Sequence, residues 1–101
     1  MLGWLKRKRG PVLRTARFRR APSVAAAAEG GRTVLLDPER GEYFGLDEVG
    51  TRIWELLPDH PSAVALAERL VEEYDAPAGT LQADAAALLG QLADAGLVLP
   101  A

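Results

Sequence analysis

The chain has 101 residues, 49% of them hydrophobic and 26% charged, a balance that suits one folded domain burying roughly two thirds of its unfolded surface. It has no cysteine, which excludes disulfides, iron–sulfur clusters, thiol catalysis and thiolate zinc sites. A net charge of −2 conceals a division: residues 1–20 carry eight basic residues and no acid, while the rest holds four bases against all fourteen acids.

Residues 1–20 therefore read as a basic N-terminal arm, free to be flexible, ahead of an acidic domain at 21–101. The arm could engage phosphates, anionic lipid or an acidic partner, or serve as a solvated tail. No run approaches the ~20 apolar residues that span a bilayer, and no secretory signal pattern opens the chain. The expected location is the cytoplasm.

Past Pro22, "SVAAAAEGGRTVLLD" suggests a strand at 23–29, a turn at Gly30-Gly31 and a second strand at 32–37. Alanine prefers helix to strand, so the first of these rests on the turn. In "DPERG", Asp37 suits the first position of a type I turn, Pro38 presets the second, and Gly41 can close a bulged hairpin to a strand at 42–46. Alternation puts Phe44 and Leu46 on the core face and Tyr43 and Gly45 on the other.

Three helices are expected next. Asp47 caps one over 48–57, with Val49, Ile53, Trp54 and Leu57 at helical spacing and Pro58 ending it. Pro61 and Ser62 open a second, to about residue 74, whose stripe includes Leu66, Leu70 and Tyr74. Thr80 caps a third, in which Leu81, Ala85, Leu88, Leu89 and Leu92 recur every three or four residues until Gly96. Strands followed by helices imply an α+β fold, a three-stranded antiparallel sheet and then three helices, arranged like a winged helix-turn-helix.

The inventory argues against an enzyme. His60, the only histidine, lies in a turn between prolines with no partner for general-base or metal chemistry, and neither Ser23 nor Ser62 sits in a nucleophile elbow. Gly30-Gly31 precedes a strand, so it is no phosphate loop, and Glu72-Glu73 reads as a solvated helix end. Trp54, Phe44 and Tyr74 read as core, whereas Tyr43 is free to act as an exposed contact. A DNA-reading winged helix is the alternative, but the third helix, "LQADAAALLGQLADAG", carries Asp84 and Asp94 and no base.

The run "LLDPERGEYFGLDEVGTRIWELL", followed by "AERLVEEYD" and "DAAALLGQLADAGLV", resembles the PqqD-like family, also called the precursor-peptide recognition element, over residues 23–99. Asp47 stands where the family more often has Asn, and both cap helices. The resemblance implies a non-catalytic adaptor without a cofactor. Such a protein holds the leader of a ribosomally made precursor peptide and delivers it to modifying enzymes. These would be a leader peptidase and an ATP-dependent cyclase in lasso-peptide pathways, the type favoured here, or a radical enzyme in pyrroloquinoline-quinone synthesis. An open strand edge can accept such a peptide as an additional strand. The expected site is then Glu42, Tyr43, Phe44, Gly45 and Leu46 on the strand, with Leu81, Asp84, Ala85, Leu88, Leu89 and Leu92 on the third helix.

Overall fold

The computed structural model describes residues 10–101, so Lys6, Arg7, Lys8 and Arg9 lie outside the described residues. Five strands and three helices follow in the order β1 (Phe18–Arg20), β2 (Ala25–Glu29), β3 (Arg32–Asp37), β4 (Glu42–Leu46), α1 (Glu48–Leu56), α2 (Ala63–Leu70), α3 (Ala78–Asp94) and β5 (Val98–Pro100). Strands β2, β3 and β4 form an antiparallel meander, and β1 pairs with β5 in a separate two-stranded ribbon. The class is α+β, with the three-stranded sheet ahead of the three helices as expected.

Both hairpins follow from their turn residues. Gly30 and Gly31 have φ of 63° and 80°, the positive pair that a type I′ turn demands, and Glu29 faces Arg32 across it. The pairing with β3 overrides the helical preference of the alanines in β2. At the second hairpin the Gly41 N–H donates to the Asp37 carbonyl at 2.8 Å. One oxygen of the buried Asp37 carboxylate, Oδ1, accepts from both the Ser23 hydroxyl at 3.0 Å and the Glu39 N–H at 3.1 Å, which ties the turn to the start of β2.

Asp47 caps α1 by accepting the Gly50 N–H at 2.8 Å, and Ser62 caps α2 through the Ala65 N–H at 3.2 Å. Helix α2 is shorter than its apolar stripe suggested. It ends at Leu70, and turns carry the chain through Tyr74, whose N–H still reaches the Leu70 carbonyl at 2.9 Å. Helix α3 begins at Ala78, with Pro77 in the cap position and no side-chain cap, so the expected Thr80 cap is corrected. Proline sets the extended entry backbone that a hydroxyl cap would otherwise favour. At its far end the Gly96 N–H bonds to Ala93 O and the Leu97 N–H to Leu92 O, a Schellman stop with Leu97 and Leu92 both buried.

The core lies between the sheet and the helices. One buried cluster joins Leu35 of the sheet with Ile53 and Trp54 of α1, Leu57 at its C-cap, Leu66 and Leu70 of α2, and Leu81, Ala85, Leu89 and Leu92 of α3. Arg52 of α1 pairs with Glu73 beyond α2 at 2.7 Å, and Arg69 reaches the same carboxylate at 3.1 Å.

Residues 10–20, expected in the arm, pack on this body. The Arg14 carbonyl accepts the Val64 N–H at the start of α2, and the Phe18 N–H donates to Pro61 O. Phe18 is buried in the core. The Arg20 guanidinium lies 4.8 Å from the centre of the Trp54 ring and donates to the Trp54 carbonyl. Burial holds its pKa below the usual arginine value, against the raising effect of Glu55. Further back, the Val12 N–H reaches Ala86 O at 3.2 Å, and a Cβ at Gly90 would stand 2.5 Å from the Gly10 carbonyl. Glycine at 90 is what lets this segment lie against α3. Charge counting marked these residues as tail, whereas their apolar members and backbone bonds attach them.

Candidate functional site

The register decides which backbone groups of β4 are free. A type I′ turn closes with its first carbonyl accepting from its fourth N–H, so Glu29 and Arg32 form a hydrogen-bonded pair. Successive strand residues direct their polar groups to opposite sides. Arg32, Val34 and Leu36 therefore serve β2, and Thr33, Leu35 and Asp37 serve β4. These last three lie opposite Leu46, Phe44 and Glu42. Tyr43 and Gly45 are left with N–H and C=O directed at the edge of the sheet, with which no strand among the described residues pairs.

Beside that edge runs an open groove of about 780 Å³. Its sheet side is Phe44, Gly45 and Leu46 with Arg32, Thr33 and Val34; Val49, Gly50 and Ile53 of α1 close its end. Its helical wall is Asp84, Ala87, Leu88 and Gln91, four residues at the 3-1-3 spacing of one α3 face. Phe44, Leu46, Val49, Ile53 and Leu88 make an apolar surface, and Arg32 is its single cation among the described residues. Asp47, at the rim, has one carboxylate oxygen committed to capping α1. The lining holds no histidine, cysteine, lysine or paired carboxylates for proton transfer, and no group of three metal-ligating side chains occurs among the described residues. What it offers is backbone hydrogen bonding beside apolar surface.

The site residues expected from sequence divide between groove and core. Phe44, Gly45, Leu46, Asp84 and Leu88 line the groove, Leu46 from a nearly buried position. Leu81, Ala85, Leu89 and Leu92 are buried in the core, facing away from it. Glu42 is half-buried at the turn end of β4, and Tyr43 stands exposed on the opposite face of the sheet. The sequence reading passed over Arg32, Thr33, Val34, Gly50, Ala87 and Gln91 as site residues, and it gave Asp47, Val49 and Ile53 only to the cap and stripe of α1. Ala87 and Gln91 share the helical face of Asp84 and Leu88, so periodicity contained that signal; Val34 and Arg32 come from pairing of β3 with β4.

The family described as "Coenzyme PQQ synthesis protein D (PqqD)" matches residues 32–98, from the start of β3 into β5. The chain belongs to the PqqD family. Two solved structures share this PqqD-like fold. One, "Lasso peptide synthetase B1 complexed with the leader peptide", is 34% identical with a TM-score of 0.73, covering 84% of this chain and 100% of the other. The second, "TbiB1 in Complex with the TbiA(beta) Leader Peptide", is 32% identical with a TM-score of 0.72, covering 79% and 93%. No curated protein sequence is a match. PqqD-family membership thus rests on the segment that builds β3, β4 and all three helices, and β3, β4, α1 and α3 of that segment line the groove. No helix among the described residues is long and apolar enough to cross a membrane.

Proposed function

We propose that this chain is a non-catalytic adaptor that holds the leader of a ribosomally synthesised precursor peptide in the groove between β4 and α3. The leader adds antiparallel to the open edge of β4 and is presented to modifying enzymes. The likeness to two leader-bound structures, one of them a lasso peptide synthetase B1, favours the lasso-peptide type, whose enzymes are a leader peptidase and a cyclase. The observation that carries the reading is the free polar backbone of Tyr43 and Gly45 beside an apolar groove.

Magnitudes show why both parts are needed. Two residues offer four main-chain bonds, each worth about 0.5–1.5 kcal/mol net, or roughly 2–6 kcal/mol together. Micromolar affinity requires about 8 kcal/mol after the cost of association. Strand addition alone falls short, and burial of a few leader side chains against Phe44, Val49 and Leu88 must supply the rest. Alternation of those side chains then gives selectivity.

The test is a calorimetric titration with the leader of the precursor encoded beside this chain. One-to-one binding is expected, with none to a scrambled leader or to duplex DNA. Absence of binding to the intact leader would overturn the proposal.

A further inference from the structure

Gly45 is unexplained by the fold that contains it. Its φ is not positive, so its backbone does not demand glycine, and a Cβ built there meets nothing within 4 Å. Glycine inside a strand costs stability and contributes no packing; it marks a bulge, a tight bend or a close approach of another molecule, and the unbroken β3–β4 register holds no bulge at Gly45. Three observations say where. Gly45 lines the groove, its N–H and C=O point to the open edge, and its missing side chain would lie on the outer face of the sheet.

On the Tyr43 side the neighbours of that gap are exposed and apolar, and on the other side Arg32 stands two residues from Val34 on the same face of β3. Val34, directly opposite Gly45 on β3, is 50% exposed, and Tyr43, two residues along β4, is 73% exposed. Leu36, opposite Tyr43, is 43% exposed, and Ala25 and Ala27 of β2 continue the two rows. No charged residue stands in either row of paired residues. A strand added to β4 places one residue directly opposite Gly45, and cross-strand partners share a face.

Resting on the leader-binding reading, we infer that Gly45 is a specificity position: it leaves room on the outer face of the sheet for one large aromatic or aliphatic side chain of the leader, bracketed by Tyr43 and Val34. The leader is thus read from both sides. Residues on either side of that position turn inward toward Phe44 and Leu88, while the one opposite Gly45 turns to the outer face, at the rim that Val34 gives the groove. A side chain at 45 would meet the leader residue where glycine admits it.

The experiment displays the leader of the co-encoded precursor as a library in which each residue is varied to all twenty amino acids, selected on the wild-type protein, on Gly45→Val and on Tyr43→Ala. Valine suits a strand, so Gly45→Val should melt at or above the wild-type temperature and yet bind the native leader at least tenfold more weakly. On the wild type, one leader position should demand a large apolar residue that Tyr43→Ala no longer enforces. On Gly45→Val, that same position should shift to small residues, with the groove-facing positions on either side unchanged. Unaltered affinity of Gly45→Val, or weakening with no shift in size preference at any one position, would overturn the inference while leaving leader binding intact. Failure of the wild type to enrich any leader would instead overturn the parent reading and this inference with it.

Discussion

Proline substitutions along β4 should separate sheet from ligand, residue by residue. Glu42, Phe44 and Leu46 spend their backbone groups on β3, whereas those of Tyr43 and Gly45 face outward. Proline removes the N–H at whichever position it enters. At 44 it strands the carbonyl of Leu35, a wholly buried residue, and an unsatisfied buried acceptor costs about 1–3 kcal/mol. In a chain of this length each kcal/mol lowers the melting temperature by roughly 4–8 °C. Phe44→Pro should therefore melt about 4–24 °C below Phe44→Ala, the control that already accounts for the lost ring. At 43 or 45 the sheet loses no hydrogen bond, but the leader loses one donor worth about 0.5–1.5 kcal/mol, a weakening of roughly two- to twelvefold relative to alanine at the same position. Thermal melts by circular dichroism and calorimetric titration with the leader read the two effects separately. Unfolding by proline at 43 or 45, with Phe44→Pro melting like Phe44→Ala, would show the outward set to be reversed. Proline variants at 43 and 45 that bind like their alanine controls would remove this edge from the binding mechanism.

Adjacent leucines on α3 should respond oppositely to aspartate. Leu89→Asp places a charge in a fully buried position and should unfold the domain, while Leu88→Asp, half-buried in the groove, should stay folded with a much smaller fall in melting temperature and lose leader affinity. Removing residues 1–20 takes away β1, the buried Phe18 and the Arg20 contact with Trp54. Burial of the phenylalanine alone stabilises by about 1.5–3 kcal/mol, so calorimetry should show a melting temperature lower by more than about 6 °C. At low pH the Arg52–Glu73 pair should fail. The hydrogen bond from Arg52, ahead of the charges of Arg52 and Arg69, holds the Glu73 carboxyl below its ordinary 4.5. Its contribution is present above that value and is lost as pH falls through the lowered one, so Glu73→Gln should flatten the acid limb of the stability curve.

Local chemistry was legible in the sequence wherever one or two residues decide the backbone. The positive φ of Gly30, Gly31 and Gly41, the caps at Asp47 and Ser62 and the stop at Gly96 each follow from side chains within four residues. They placed β3 and β4 at their observed bounds and α1 to within a residue. The alternation of Tyr43, Phe44, Gly45 and Leu46 needed only the pleat of a strand.

Tertiary structure decided what distant residues do together. Three-residue strands such as Phe18–Arg20 and Val98–Pro100 have no periodicity of their own; each exists because the other end of the chain supplies its partner. A basic composition therefore looked like tail until Phe18 was buried and Arg20 was stacked on Trp54. On α3 the apolar spacing marks a stripe, but Leu88 and Leu89 differ by one position on it, and only packing assigns one to the groove and the other to the core. The free backbone of Tyr43 and Gly45 is likewise a property of register across β2, β3 and β4, since a strand read alone has two equivalent edges.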